Sequence, residues 1–258
     1  MTADAPIQRN VAGDLPRVDL FGVGVHATSF EAALEHLHAC VERREATFFC
    51  NANVYSCMLA QDDAAHRAHM RRAGYVMADG MPIVWLLRWL GYAADRVHGD
   101  DFMLAWCQHF PGARHYLLGG APGQTERVAA ELQRRFPGIA IVGMHTTAVR
   151  PVPVEESRVI ADDVRATRPD VIWVGMGTPH QDQWMADNVE ALSVPMVGVG
   201  SAFDVLAGHT RAAPAWMKRS GLQWLFRLAQ EPRRLGKRYV YYNTRFLWQV
   251  AGLLLRRG

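Results

Sequence analysis

At 258 residues the chain is long enough to bury a sizeable core, as one large domain or as a domain with an appendage. Half of it is hydrophobic and 21% is charged, which argues against a disordered protein. The formal net charge of +3 conceals an asymmetry: from Arg211 to Gly258 there are eleven Lys/Arg against one acid, Glu231, whereas the upstream residues carry a net −7.

The segment Met1 to Pro16 has acids and polar residues but no basic region followed by an apolar run. A flexible N-terminus over 1–16 is expected, and no signal peptide. The longest apolar candidate, Phe246 to Leu255, is about half the roughly 18 residues a spanning helix needs, so the chain is not expected to cross a bilayer. The four cysteines, Cys40, Cys50, Cys57 and Cys107, show neither a CxxC pair nor metal-ligand spacing with histidine, and reduced thiols in the cytoplasm are the expectation.

In chain order, strand patterns fall at Val18 to Val25, Ala46 to Cys50, Tyr75 to Met77, His115 to Leu118, Ala140 to Gly143, Val171 to Val174 and Pro195 to Val199. Helical patterns lie between them, near 29–43, 54–73, 82–90, 100–110, 122–135, 155–167 and 179–191. This alternation predicts an α/β fold: a Rossmann-like, mainly parallel sheet with helices on both faces, over residues 17–208. Near-continuously apolar strands such as Val171-Ile172-Trp173-Val174 fit a sheet covered on both sides. Strand signals stop after Gly208, and 209–258 reads as a helical basic appendage in which Pro232 separates two helices.

Ligands of such sheets sit beyond the carboxyl ends of the strands, so the loops there are the places to look. Gly22-Val-Gly24-Val-His-Ala27 has the spacing of a dinucleotide fingerprint, but its second strand ends in Asn51-Ala52-Asn53 instead of the acid that would hold a ribose. Asn51 and Asn53 are candidates for sugar hydroxyls, or simply caps of the next helix. Asp79, in Ala78-Asp79-Gly80-Met81-Pro82, stands where a strand gives way to a helix; it is a candidate general base, or a helix cap. Arg96, in Arg96-Val-His98-Gly99-Asp100-Asp101, could neutralise a diphosphate. Asp100 and Asp101 could hold a divalent ion or cap a helix, and the chain has no Asp-x-Asp triplet.

Three glycine-rich turns complete the set of strand ends. Gly119-Gly120-Ala121-Pro122-Gly123 lets backbone approach a nucleotide or phosphate, although it lacks the Lys-Ser/Thr of a P-loop. Gly175-Met-Gly177-Thr178-Pro179-His180-Gln181 and Gly198-Val-Gly200-Ser201-Ala202-Phe203-Asp204 bring Thr178, Gln181, Ser201 and Asp204 to the same sheet edge, which favours a ligand site. In the appendage, Leu235, Tyr239, Tyr242 and Phe246 share one helical face, and Arg234, Arg238, Tyr241 and Arg245 share its neighbour. The pattern suits an interfacial helix on anionic lipid, against the alternatives of a helix packed on the domain or a nucleic-acid surface.

Taken in order, these motifs resemble the WecG/TagA/CpsF family of bacterial glycosyltransferases, from about Val18 to Phe246. The resemblance rests on Ala52-Asn53, Asp79 to Trp85, Arg96-Val97 with Gly99, the Leu-Leu-Gly-Gly turn, Gly175 to Trp184, Gly198 to Gly208 and Gly221 to Leu235. It implies transfer of a sugar from a UDP-sugar to a polyprenyl-diphosphate-linked sugar, with inversion, in polysaccharide or cell-envelope glycan synthesis. It implies Asp79 as catalytic base, Asn53 and Gln181 on the sugars, and Arg96 on the diphosphate. Asp204 and the neighbouring glycines would take the nucleotide, and Arg227, Arg234 and Arg238 of the appendage would complete the site. No metal cofactor is expected, nor any nucleic-acid partner. The expected location is cytoplasmic, peripheral on the inner face of the cell membrane, and self-association is left open.

Three departures from the family pattern stand out. Asn51-Ala52-Asn53 replaces Thr-x-Asn, and Ala212-Ala213-Pro214 replaces Arg-Ala-Pro beside Arg211. The milder third is Gln181-Asp182 for Gln-Glu, with Gln223 at the glutamate of Leu-Glu-Trp. Two other functions remain as rivals: a nicotinamide-dependent oxidoreductase, suggested by the GxG turns, and a non-catalytic adaptor that binds a membrane or nucleic acid through its tail.

Overall fold

The computed structural model describes residues 15–147 and 150–257. Residues 1–14, most of the segment expected to be flexible, lie outside the described residues. The chain opens with an antiparallel hairpin, β1 (Arg17–Leu20) and β2 (Val23–His26). A single strand was expected over Val18 to Val25; the hairpin divides it at Phe21 and Gly22, whose φ values of 59° and 87° make a two-residue turn of the primed type. The Gly22 N–H donates to Asp19 Oδ1 at 2.9 Å. The Gly22-Val-Gly24 pair therefore belongs to a hairpin and not to the strand-to-helix turn that a dinucleotide fingerprint requires.

The body follows in the order α1 (Phe30–Glu42), β3 (Phe48–Ala52), α2 (Val54–Asp62), α3 (Ala64–Arg72), β4 (Tyr75–Ala78), α4 (Met81–Trp89), α5 (Gly99–His109) and β5 (Arg114–Gly119). It continues through α6 (Gln124–Arg135), β6 (Ala140–His145), α7 (Val154–Thr167), β7 (Val171–Gly175), α8 (His180–Leu192), β8 (Met196–Gly198) and α9 (Ala202–Leu206). The helix expected over 54–73 is two helices. Asp63 adopts an extended backbone, and its Oδ1 accepts from the N–H groups of Ala65 and His66, so it caps a new helix instead of continuing the old one.

Strands β3 to β8 form one six-stranded sheet in the order β4-β3-β8-β7-β5-β6, every pair parallel. Successive strand residues enter opposite cores. Phe48, Cys50, Val76, Leu118, Ile172 and Val174 face the layer with α2, α3, α4 and α8, while Phe49, Met77, Leu117, Trp173 and Val197 face α1, α5, α6 and α9. From the adjacent pair β5 and β7 the chain leaves in opposite directions, β5 toward β6 and β7 toward β8. That divergence is a topological switch point, where the connecting loops part and leave a crevice at the carboxyl ends.

Three helices follow: α10 (Ala215–Arg219), α11 (Gln223–Gln230) and α12 (Pro232–Arg257), with Pro232 opening the last, where proline's missing N–H costs nothing. The long helix lies on α2. Leu235 and Phe246 are buried, Tyr242 packs on the core, Phe246 meets Phe21 edge-to-face at 5.7 Å, and Tyr242 meets Tyr55 at 5.0 Å. Arg245 pairs with Asp62, and Gln249 Nε2 donates to Gln61 Oε1 at 2.8 Å. The aromatic stripe expected at a lipid boundary is thus the packing face of the helix. The outward residues include Arg233, Arg234 and Lys237 near its start and Val240, Leu247, Trp248 and Leu255 further along. Among the described residues no helix is long and apolar enough to cross a membrane.

Candidate active site

Asp79 occupies the step from β4 into α4. Its N–H and that of Gly80 both turn back to the Ala52 carbonyl, which fixes the end of β4 beside the end of β3. Asn53, at the end of β3, caps α2 by accepting from the Ser56 N–H through Oδ1, while its Nδ2 donates to Asp79 Oδ2 at 3.1 Å. One asparagine thus terminates a strand, starts a helix and holds the carboxylate. The other carboxylate oxygen, Oδ1, is buried without a hydrogen-bond partner and lies 3.8 Å from His98 Nε2.

Asp79 and Asn53 open into a cavity of about 620 Å³, built from the domain and the appendage together. Its polar lining also includes Arg96, His98, Gln223, Arg227 and Arg238, and its apolar lining includes Trp85, Leu86, Trp89, Leu247, Val250 and Leu254. The tail is seated against α4 by close contact. Gly221 has φ +72°, and a Cβ there would come within 2.7 Å of the Trp85 ring, so a side chain is excluded on both counts. Arg238 lies over the Tyr55 ring, 4.5 Å from its centroid.

Arg96 is only 13% exposed and already engaged, donating to Asp101 Oδ2 at 2.9 Å and to Gln223 Oε1. Asp100 and Asp101 both receive the Lys218 ammonium, at 3.0 and 2.8 Å, instead of standing open toward an ion. Burial would raise the Asp100 carboxyl, but His98 and Lys218 outweigh it and hold it far below the usual carboxylate range. Burial likewise opposes the charge on Lys218, yet the two carboxylates leave its pKa raised. Among the described residues no three His, Cys, Asp or Glu side chains are grouped to hold a metal.

The glycine loops gather elsewhere, at the switch point. Gly119, Gly120, Gly177 and Gly200 all have positive φ, and a Cβ on Gly119 would lie 2.8 Å from Met176. Gln181 is buried beside them, its Oε1 accepting from the N–H groups of Gly177 (3.1 Å) and Gly200 (3.0 Å). Asp204 accepts from Gln124 Nε2 at 2.7 Å, and Gln124 Oε1 accepts from the Ala121 N–H. Asn51 is buried too, with Nδ2 on the Gly198 carbonyl at 2.5 Å.

Of the residues singled out from the sequence, Asn53, Asp79, Arg96, Arg227 and Arg238 meet at the cavity. Asn51, Gln181, Asp204 and the four glycines meet at the neighbouring strand ends. Arg234 meets neither set and pairs with Glu231. His98, Gln223, Lys218 and Tyr55 joined the cavity or its network without having been assigned a role. A histidine between an arginine and two aspartates in the loop leading into α5 was the one local signal.

Residues 18–258 match the glycosyl transferase WecG/TagA/CpsF family. The chain belongs to that family. It is a glycosyltransferase. It is 26% identical to an N-acetylglucosaminyldiphosphoundecaprenol N-acetyl-beta-D-mannosaminyltransferase of Staphylococcus aureus strain MW2, over 86% of this chain and 87% of that protein. A protein of the same name from Bacillus spizizenii is 26% identical over 80% of this chain and 79% of its own length.

Proposed function

We propose that this glycosyltransferase moves a sugar from a UDP-sugar to a sugar carried on a polyprenyl diphosphate, with inversion, at the inner face of the cell membrane. The observation that carries the reading is one cavity lined by two chemistries: a part-buried carboxylate with three arginines, and tryptophan and aliphatic side chains. A polyprenyl-diphosphate-sugar has the matching division of sugar, charge and hydrocarbon. The relatives' names, which specify an acceptor on undecaprenyl diphosphate, support the same class of acceptor.

In this reading Asp79 takes the proton from the attacking hydroxyl as that oxygen bonds to the anomeric carbon. Asn53 orients the carboxylate. Arg227 and Arg238, the latter lying over the Tyr55 ring, are the cations offered to a diphosphate, while Arg96 is held by Asp101 and Gln223. The glycine loops at the switch point, with Asp204, take the nucleotide through backbone N–H groups. Leaving-group charge then falls to arginines and N–H donors, so no divalent ion is required.

The test is incubation with a panel of UDP-sugars and a short-chain polyprenyl-diphosphate-sugar, with and without EDTA, and product detection by mass spectrometry. Transfer of one hexose or N-acetylhexosamine that persists in EDTA is expected. Product from no donor in the panel would defeat the reading, and EDTA inhibition reversed by magnesium would return Asp100 and Asp101 to the role of ligands.

A further inference from the structure

Gln124 and Thr125 open α6 directly behind the glycine loop that follows β5; both are buried, and both reach back onto that loop. Thr125 Oγ1 donates to the Gly119 carbonyl at 2.6 Å. Gln124 closes a ring with Ala121: its backbone N–H donates to the Ala121 carbonyl at 2.9 Å, and its side-chain Oε1 accepts from the Ala121 N–H at 2.7 Å. The ring needs close approach at Gly120, which has φ +83° and where a Cβ would lie 3.0 Å from Gln124 Oε1. The other end of the amide leaves the loop altogether. Nε2 donates at 2.7 Å to Oδ1 of Asp204, on α9 beyond the carboxyl end of β8. In the strand order β8-β7-β5, this one side chain therefore joins loops two strands apart.

Donor and acceptor rules leave the amide a single orientation. The Ala121 N–H can only donate, so the Gln124 oxygen faces it, and the NH2 group faces the carboxylate, which accepts. The Asp204 main chain is fixed as well, its carbonyl accepting from the N–H groups of His209 and Thr210. Oδ2 makes no hydrogen bond with any described residue. A carboxylate with one oxygen tied and the other free is an oriented acceptor, and it stands among the strand-end loops where open sheets take nucleotides. Because the tie is a neutral amide and not a cation, Asp204 keeps its charge for a donor on the ligand.

We propose that Gln124 is a positioning residue of the nucleotide subsite that works through Asp204, holding Oδ1 so that Oδ2 accepts an O–H or N–H of the nucleoside. The inference rests on the sugar-transfer reading above and deepens it by naming what grips the nucleoside. The same amide carries the Ala121 N–H, so the glycine loop and the carboxylate are set at a fixed distance from one another. Asp79 follows β4, two strands from β8, so this grip acts on donor affinity and not on proton transfer.

The experiment measures calorimetric UDP binding and steady-state transfer on the full chain, for the wild type, Gln124→Glu, Asp204→Ala and the double variant. Glutamate at 124 still accepts from the Ala121 N–H but sets a second carboxylate against Asp204 in place of a donor, so the loop is kept and the orientation lost. UDP affinity should fall roughly 10- to 100-fold, and the loss in transfer should fall on the donor KM and not on kcat. In Asp204→Ala, which has no carboxylate to orient, adding Gln124→Glu should change UDP affinity less than about 2-fold; a part that only braced the loop would cost the same in both backgrounds. Wild-type binding of 2′-deoxy-, 3′-deoxy- and N3-methyl-UDP then tells which donor Oδ2 takes, a ribose hydroxyl or the uracil N–H. Equal losses from Gln124→Glu with and without Asp204, or wild-type affinity for all three analogues equal to that for UDP, overturns the proposal. Coupled losses of UDP affinity in a protein that transfers no sugar would uphold Gln124 and strike down the sugar-transfer reading. Transfer from a UDP-sugar with UDP affinity untouched by Gln124→Glu would do the reverse.

Discussion

Asp79 has one oxygen satisfied and one left bare, a costly condition for a buried carboxylate unless something is meant to reach it. Asn53 accounts for the first oxygen and prevents the carboxylate from turning away from the cavity. Replacing Asp79 by asparagine keeps the shape and the helix entry but removes the proton acceptor. Transfer should fall by about 10² to 10⁴, with UDP affinity nearly intact because the glycine loops lie elsewhere. Steady-state rates and calorimetric UDP binding on the same variant decide it, and wild-type turnover would remove Asp79 from the chemistry. Asp79 and Asn53 were readable from sequence because each stands at a strand end, and Arg96 because it is a cation in a loop between two helices, α4 and α5. His98 was not, because its partner Gln223 returns to it from more than 100 residues later.

At the scale of elements, the strand-end loops depend on one side chain. Gln181 sits on the first turn of α8 and gathers the N–H groups of Gly177 and Gly200 onto a single amide oxygen, tying the loop after β7 to the loop after β8. Gln181→Ala strands both donors, each at a cost of about 1 to 3 kcal/mol if no water replaces the oxygen. Lower stability in denaturant and weaker UDP binding should appear together; loss of stability with unchanged UDP affinity would take the nucleotide away from these loops. The parallel sheet and its helices were legible from alternation alone, yet three features escaped it. Val18 to Val25 alternates straight through a turn, Asp63 interrupts an unbroken helical pattern, and the tail's periodicity tells which residues share a face but not which face meets protein. Only packing against Phe21 and Tyr55 decides the last, and it puts Tyr242 and Phe246 inward.

For the molecule as a whole, burial and charge act in different regions. His26 accepts from the Val76 N–H and His115 from the Trp173 indole, so both are held neutral; burial lowers their pKa values to about 3 and about 4. Because the unfolded chain binds these protons first, stability should fall as pH drops below about 6.5, by about 1.4 kcal/mol per pH unit for each group until its folded pKa is reached. His98, whose pKa burial would lower but Asp79 and Asp100 raise above the ordinary value, contributes with the opposite sign and loses its contribution as pH rises. Denaturant midpoints from neutral to about pH 4 should therefore decline, and a flat profile would contradict buried neutral histidines. The charge of the tail makes a second prediction. With Tyr242 and Phe246 committed to the domain, any attachment to anionic lipid should fall to the outward face: Arg233, Arg234 and Lys237, each contributing on the order of 1 kcal/mol near the surface, and Trp248 and Leu255 beyond them. Salt weakens the first part and spares the second. Phe246→Ala should cost about 3 to 5 kcal/mol of stability, as a core truncation does. Trp248→Ser, at a position 76% exposed, should leave unfolding unchanged and abolish the binding to anionic vesicles that survives high salt. A Trp248→Ser protein that sediments with vesicles like the wild type at every salt concentration would show that the outward face is not the one that meets the membrane.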